Sequence, residues 1–192
     1  MAYAPNAARR SESSRRAVLA ATAELCAEFG YGRLTIEAIA ARAGVSKKTI
    51  YRWWPSIGAV VVELIDETAD EVATHPDTGD LFTDLRTQLG NVIALLSPPE
   101  TSLFAGLIAA AQSDPQLAGE LRDRLIQPRI EEFHRRIRSA KALGQLPADA
   151  DPAIALDLLY GPIYHRLAFH LGMPEGEYLD SLIRHTLRAL GG

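Results

Sequence analysis

The chain of 192 residues is long enough for one medium-sized domain or two small ones with a substantial hydrophobic core. Its single cysteine, Cys26, argues against a disulfide framework, and it carries neither a signal-peptide pattern nor an apolar run of membrane-spanning length, so we expect a cytoplasmic protein without membrane association. Residues 1 to 55 carry a net charge of +5 and the remainder −9, a division that suits a basic end approaching a polyanion and an acidic body held away from it.

The first residues predict a disordered basic arm, residues 1 to 11, followed by a helix from about Ser13 to Phe29. Arg9 and Arg10 lie in the arm, and Arg15 and Arg16 follow one helical turn later. Guanidinium groups in such an arm can follow a phosphate backbone or enter a minor groove. For Arg9 and Arg10 a solvated tail remains an equally open alternative.

Residues 35 to 55 predict two short helices joined by a tight turn. Thr35 is a suitable N-cap for the first helix, Gly44 supplies the permissive backbone that ends it, and Ser46 caps the second. Helical spacing places Ile50 and Trp54 on the inner face of the second helix. The predicted outer face is polar, aromatic and basic and comprises Lys47, Lys48, Thr49, Tyr51, Arg52 and Trp53.

Lys47 and Lys48 lie in the first turn of the second helix, where the helix dipole favours acidic residues instead. Two cations beside the free N–H groups of a helix start attract anions, and DNA is the polyanion that fits. This is the helix-turn-helix arrangement, in which the start of the second helix enters the major groove. The alternative is a solvated basic surface.

The rest of the chain predicts further helices and no strand. Capping residues start them at Ser56, Asp80, Asp114 and Asp151, the last two followed by proline. Pro128 falls inside the long helix that begins at Pro115 and should kink or divide it. The predicted fold class is all-α with about nine helices.

Residues 31 to 58 resemble the DNA-binding motif of the tetracycline-repressor-like (TetR) family of bacterial regulators. The matching elements are Leu34-Thr35-Ile36, Ile39-Ala40, Ala43 to Lys47, and Thr49 to Ser56. Asp149 to Leu171, with its core Leu158 to Pro162, resembles the helix that begins the dimer interface in one subgroup of the family. One departure is Ile57, which stands where related sequences often have a lysine that meets a phosphate.

The resemblance implies a DNA-binding three-helix domain over residues 12–55 and an effector-binding and dimerisation domain over residues 56–192. The expected partners are double-stranded operator DNA, a small hydrophobic effector and a second copy of the chain. Lys47, Lys48 and Thr49 are the candidates for base contacts. The candidates for phosphate contacts that fix the register are Thr35, Tyr51, Arg52 and Trp53, and Ser46 completes the predicted DNA-binding set.

Two further residue sets follow from the implied second domain. Aromatic and polar residues on apolar stripes are the candidates for the effector site, although each also suits an ordinary core position: Phe104, Gln112, Phe133, Tyr164 and His165. Apolar residues of the last two helices are the candidates for the homodimer interface: Leu158, Ile163, Leu167, Leu179, Leu182, Ile183 and Leu187.

No catalytic or metal-binding pattern accompanies these motifs. The five histidines show no i, i+4 pairing and no ligand set, and neither a phosphate loop nor a nucleophile elbow occurs. We therefore expect neither enzyme activity nor a cofactor, and predict a ligand-responsive transcriptional regulator, a repressor by resemblance. The alternatives are a helical enzyme or sensor whose first helices are only structural, and a non-specific architectural DNA binder, which would leave the apolar body without a purpose.

Overall fold

The computed structural model describes the backbone of residues 7–72 and 76–191 and the side chains of residues 12–67 and 76–191. Within these ranges the chain forms helices and turns and no strand. The helices are α1 (Ala7–Phe29), α2 (Ile36–Ala43), α3 (Lys47–Tyr51), α4 (Ile57–Val72), α5 (Leu81–Leu95), α6 (Leu103–Ala111), α7 (Pro115–Leu121), α8 (Gln127–Ala142), α9 (Pro152–Ala168) and α10 (Gly176–Ala189). If α7 and α8 count as one interrupted helix, the described part has nine helices, which confirms the all-α prediction.

The first helix begins earlier than expected. Residues 7–11, which were predicted to belong to a disordered arm, form the start of α1 in the structure. Residues 1–6 of that arm, and the side chains of Arg9 and Arg10, lie outside the described residues. The helical periodicity therefore extends further towards the N-terminus than the polar composition of this segment indicates.

Side-chain caps start the later helices where the sequence predicts them. The carboxylate of Asp80 accepts the Phe82 N–H at 3.1 Å at the start of α5. Asp114 does the same for α7, and Asp151 for α9 at 2.8 Å to the Ala153 N–H. Each cap provides an acceptor for N–H groups that have no partner within the helix.

The predicted break at Pro128 takes the form of a π-helical turn, Arg122–Ile126, between α7 and α8. Proline has no N–H to donate to the preceding turn, and a wider turn accommodates that loss. The guanidinium of Arg129 donates to the backbone carbonyl of Leu125. The long helix is therefore interrupted just before the proline.

The chain divides into two compact units. The first comprises the described residues up to Glu67 together with Pro98–Leu121, so it holds α1 to α3, most of α4, α6 and α7. Cys26 is fully buried there, its thiol directed at the Thr101 carbonyl 3.5 Å away, and burial raises its pKa. Gly106 permits close approach, because a Cβ at this position would lie 2.2 Å from the Cβ of Tyr31.

The second unit comprises Thr68–Ser97 and Arg122–Gly192, and therefore α5, α8, α9 and α10. Its core contains a buried ion pair in which Arg136 Nη2 lies 2.7 Å from Asp84 Oδ2. The same carboxylate accepts hydrogen bonds from the backbone N–H and the hydroxyl of Thr78. A buried pair needs such additional hydrogen bonds to offset its desolvation.

None of the described helices is both long and apolar enough to cross a membrane.

Candidate nucleic-acid interface

The turn between α2 and α3 has the predicted construction. The Thr35 hydroxyl accepts the Ala38 N–H at 3.1 Å and caps α2. Gly44 ends α2 with φ 64°, a conformation that costs energy for any residue with a Cβ. Ser46 Oγ then accepts the Thr49 N–H at 3.1 Å and caps α3. Local hydrogen bonds therefore determine where the second helix of the motif begins.

The inner face of α3 is anchored in the core of the first unit. Ile50 is fully buried, as is Ile39 on α2. Trp54, three residues beyond the end of α3, is 2% exposed, which confirms its prediction as a core residue. Its indole Nε1–H donates to Glu63 Oε2 on α4 at 2.7 Å, so this buried polar group is satisfied.

The outer face of α3 and the residues just after it point away from that core. Tyr51 is 56% exposed and Trp53 41% exposed, while Lys48 and Arg52 are also exposed. The Arg52 guanidinium carbon lies 5.9 Å from the centroid of the Trp53 ring, within reach of a cation–π interaction. A shallow surface depression is lined by Ser46, Lys48, Thr49, Tyr51 and Arg52. The structure thus brings most of the predicted DNA-binding residues onto one surface, and their roles there stay predictions.

Lys47 differs from its neighbour Lys48 because it is paired. Its ammonium Nζ lies 2.8 Å from Glu37 Oε1, a carboxylate in the first turn of α2. The hydrogen bond between them lowers the pKa of Glu37 and raises the pKa of Lys47. Sequence reasoning missed this partner. Its position ten residues away becomes a contact only when the turn folds α3 back towards α2.

Arg15, predicted to follow a phosphate backbone or enter a minor groove, is held by carboxylates in this structure. Its guanidinium contacts Glu12 and Glu63 and lies 2.6 Å from Glu67, and its side chain is only 17% exposed. Three carboxylates occupy its donors, which argues against the predicted contact, and that contact stays a prediction. Arg16 is exposed and pairs with Glu12 at 3.0 Å. Glu63 and Glu67 share one face of α4, but the sequence alone does not reveal that this face meets α1.

Two other positions complete the local charge distribution. Arg42, on α2, pairs with Glu24 at 3.2 Å and with Glu28 at 2.7 Å, both on α1. Ile57, the predicted departure from the family pattern, is half-buried at the first residue of α4. This position therefore offers packing and no positive charge.

Comparison with known proteins identifies the family. The model described as "Bacterial regulatory proteins, tetR family" matches residues 18–64, which include the whole helix-turn-helix motif. The model of the tetracyclin repressor-like C-terminal domain matches residues 75–186. The chain belongs to the TetR family. Its members are helix-turn-helix transcriptional regulators, so this chain is a DNA-binding regulator of transcription.

Relatives of this TetR-family regulator match along most of its length. The HTH-type transcriptional regulator YdeS of Bacillus subtilis is 33% identical over 181 residues, covering 94% of this chain and 91% of that protein. The DNA-binding transcriptional repressor TetR of Mycobacteroides abscessus is 29% identical, covering 94% and 95%. The crystal structure of the TetR family transcription regulator SCO0332 is 34% identical, covers 91% of this chain and 97% of its own, and superposes with a TM-score of 0.75. These relatives are regulators, which favours regulation over the enzyme alternative.

The predicted effector-binding residues of this TetR-family regulator are divided between the two units. Phe104 and Gln112 belong to the first unit, and Phe133, Tyr164 and His165 to the second. Gln112 and His165 are exposed, which argues against a place in an enclosed cavity. Phe133 is fully buried, and burial raises the pKa of Tyr164.

Some of the predicted dimer contacts need correction. Ile163, Leu179 and Ile183 are buried within the second unit of a single chain. Their assignment to the interface is wrong, because a buried side chain has no surface left for a partner. Leu158 is 40% exposed. The remaining predicted contacts are half-buried: Leu167, Leu182 and Leu187.

Proposed function

We propose that this TetR-family regulator binds a roughly palindromic operator as a homodimer and is released from it by a small, largely apolar effector. The observation that carries the proposal is the two-sided construction of α3 and the residues directly after it. Ile50 and Trp54 anchor the inner side, and Lys48, Tyr51 and Arg52 are exposed on the outer side. A rigid helix with an exposed basic face is what a major groove accepts. DNA as its target also implies action in the cytoplasm.

Each residue of the exposed surface has a proposed role. Lys48 and Thr49 contact base edges, since a lysine suits guanine O6 and N7 and a threonine methyl suits thymine. Tyr51, Arg52 and Trp53 fix the register on the phosphate backbone together with Thr35 and Ser46 at the helix starts. Lys47 contacts a base edge only after its ammonium group leaves the carboxylate of Glu37.

The proposed dimer uses the surface of α9 and α10 that the chain itself leaves uncovered. Ile154 is 51% exposed and Leu158 is 40% exposed, one helical turn apart on α9. Tyr178, in the first turn of α10, is also exposed. Exposed apolar side chains on these two helices favour association with a second copy.

The proposed effector site lies in the buried polar cluster of the second unit. Phe133 and Tyr160 pack edge to face with ring centroids 5.9 Å apart, and Gln88 Nε2 donates to the Tyr160 hydroxyl at 3.5 Å. Burial raises the pKa of Tyr160 to about 12. Gln88 Oε1 is buried without a hydrogen-bond partner among the described residues. A buried acceptor of this kind is costly unless a water or a ligand donates to it, so we propose an apolar effector with one hydrogen-bond donor.

Selection of bound fragments from a random pool of DNA duplexes tests the function. We expect a two-fold symmetric motif whose half-sites lie about 34 Å apart, one helical turn, and affinity that falls steeply with salt. Lys48→Met should weaken binding to the selected duplex. Recovery of no preferred sequence, or of sequences that Lys48→Met binds equally well, would contradict the proposal.

Sedimentation of a charged variant tests the dimer surface. Leu158→Glu places a carboxylate in the proposed interface and should give monomers that bind the selected duplex weakly. Ala153→Glu is the matched control, because Ala153 is exposed on the same helix about 140° away from Leu158. A Leu158→Glu chain that stays dimeric, or a monomeric wild type that binds tightly, would overturn this interface.

A melting-shift screen tests the effector site. Small apolar compounds with and without one hydrogen-bond donor are compared, since binding to the folded state raises the melting temperature. We expect stabilisation by donor-bearing compounds and its loss in Gln88→Leu. Equal shifts in wild type and variant would exclude Gln88 from the site.

A further inference from the structure

A single carboxylate on α4 joins the residues that follow α3 to α1. Glu63 Oε2 accepts the indole N–H of Trp54 at 2.7 Å, and Glu63 Oε1 accepts from Arg15 Nη1. The side chain of Glu63 is 25% exposed and that of Arg15 17% exposed. The two oxygens of the Glu63 carboxylate therefore bind partners from two parts of the chain, Arg15 on α1 and Trp54 after α3.

Arg15 is in turn held by its own carboxylates. Its Nε lies 3.0 Å from Glu12 on the preceding turn of α1, and its Nη2 lies 2.6 Å from Glu67. Glu63 and Glu67 are four residues apart and so share one face of α4. These ion pairs raise the pKa of Arg15 far above its ordinary value. Arg15 is therefore a fixed cation that limits the movement of Glu63.

The indole of Trp54 links this network to the residues that directly follow α3. Trp54 is almost fully buried, and Glu63 is the acceptor that the described residues provide for its N–H. The helix α3 has only five residues, too few to be stable by itself. The Ser46 cap holds its start. The burial of Trp54 and its hydrogen bond to Glu63 hold its far end.

We propose that Glu63 is a positioning residue for DNA recognition, which sets the orientation of α3 through Trp54 while Arg15 sets the orientation of Glu63. The inference rests on the proposed function of α3. Base contacts depend on the direction of each hydrogen bond, whereas attraction to phosphates depends mainly on charge. Loss of Glu63 should therefore reduce the preference for operator over random DNA and leave the attraction to random DNA intact or stronger.

The test compares Glu63→Ala with Glu67→Ala. Both variants remove one negative charge from the same face of α4 and one ion pair of Arg15, but only Glu63 contacts Trp54. The measurement is the ratio of dissociation constants for a random duplex and for the selected operator of equal length at one salt concentration. Circular dichroism and melting curves of each variant accompany it.

We expect Glu63→Ala to lower this ratio by about 10-fold to 100-fold, the range for losing a hydrogen bond to a charged group. Glu67→Ala should change it less than about 3-fold by the same scale. Glu63→Gln keeps an acceptor for the indole and should retain most of the ratio. In the Trp54→Phe background, which lacks the indole N–H, Glu63→Ala should lower the ratio little further.

The outcomes separate the two proposals. A wild-type chain without preference for any duplex contradicts the proposed function itself. A wild-type preference that Glu63→Ala leaves unchanged overturns only the role of Glu63. Equal losses in Glu63→Ala and Glu67→Ala overturn it as well, because they would reflect charge or the Arg15 network alone. If Glu63→Ala fails to fold, Glu63→Gln and Trp54→Phe decide. A reduced ratio in Trp54→Phe together with a retained ratio in Glu63→Gln supports the proposal. Any other combination refutes it.

Discussion

The two sides of α3 and of the three residues after it meet opposite physical demands. The inner side, with Ile50 and Trp54, is packed, and its polar atom is satisfied because the Trp54 N–H donates to Glu63. On the outer side Tyr51 and Trp53 are largely exposed. Adjacent residues, Trp53 and Trp54, fall on opposite sides of this division although their rings lie only 6.2 Å apart. Stability and recognition are therefore assigned to neighbouring positions that mutation can separate.

The cations of the DNA-binding region divide in a similar way. Arg15, Arg42 and Lys47 are engaged by glutamates. No ion pair to Lys48 or Arg52 is found among the described residues, and Arg52 lies against the Trp53 ring. The count of nine lysines and arginines in residues 1 to 55 therefore overstates how many cations in this region are ready to meet DNA. The exposed tip of α3 is a narrower basic surface than the composition indicates.

The largest expected effect separates the two tryptophans. Trp54→Ala should destabilise the protein by about 3–5 kcal/mol, because it removes a buried aromatic ring. Trp53→Ala should change the free energy of unfolding by less than about 0.5 kcal/mol, as an exposed position allows, and weaken DNA binding. Thermal and urea unfolding of both variants measure the difference. Equal destabilisation would mean that the two faces are not divided as described.

A second pair of variants separates the two lysines. Lys48→Met should weaken operator binding by about 1–3 kcal/mol if it removes a base contact. Lys47→Met should cost less, because Lys47 must first give up Glu37. Fluorescence titrations against the selected operator compare them at matched salt. A larger loss for Lys47→Met would show that the Glu37 pair does not restrain it.

The cap of α3 should have a smaller effect that appears in stability. Ser46→Ala removes the acceptor for the Thr49 N–H and should cost about 1 kcal/mol. Ser113→Ala is the control, because among the described residues this exposed serine caps no helix and its hydroxyl donates to the nearby Ala110 carbonyl. Urea unfolding curves distinguish the two, and an unchanged midpoint for Ser46→Ala would argue against the cap.

The smallest expected effect concerns the pairing of Lys47. Glu37→Gln releases this lysine, so the log–log dependence of random-duplex binding on salt should steepen by up to about 0.9 if Lys47 gains a phosphate. Glu24→Gln removes the same charge from another exposed pair, with Arg42, and serves as control. Equal slopes in both variants would assign the change to net charge alone.

Much of the motif could be predicted because its determinants are local. Thr35, Gly44 and Ser46 act on backbone groups within three residues of themselves, or through their own backbone conformation, so the turn can be inferred from the letters alone. The division between Trp53 and Trp54 was predicted from helical spacing and is found in the structure, although both residues lie beyond the end of α3. The family resemblance added the regulator function, which the family and relative matches confirm.

What lay beyond the sequence involves residues far apart along the chain. Arg15 and Glu63 are separated by 48 positions, and their pairing exists only because α1 and α4 pack together in the first unit. The burial of Ile163 and Ile183 was likewise decided by packing, since an apolar stripe can face its own core or a partner with the same spacing. Hydrogen bonds between sequence neighbours determined the start of α3, and helical spacing determined its outer face. Only the tertiary structure decided which cations and apolar side chains remained available, because availability depends on what the distant parts of the chain already cover.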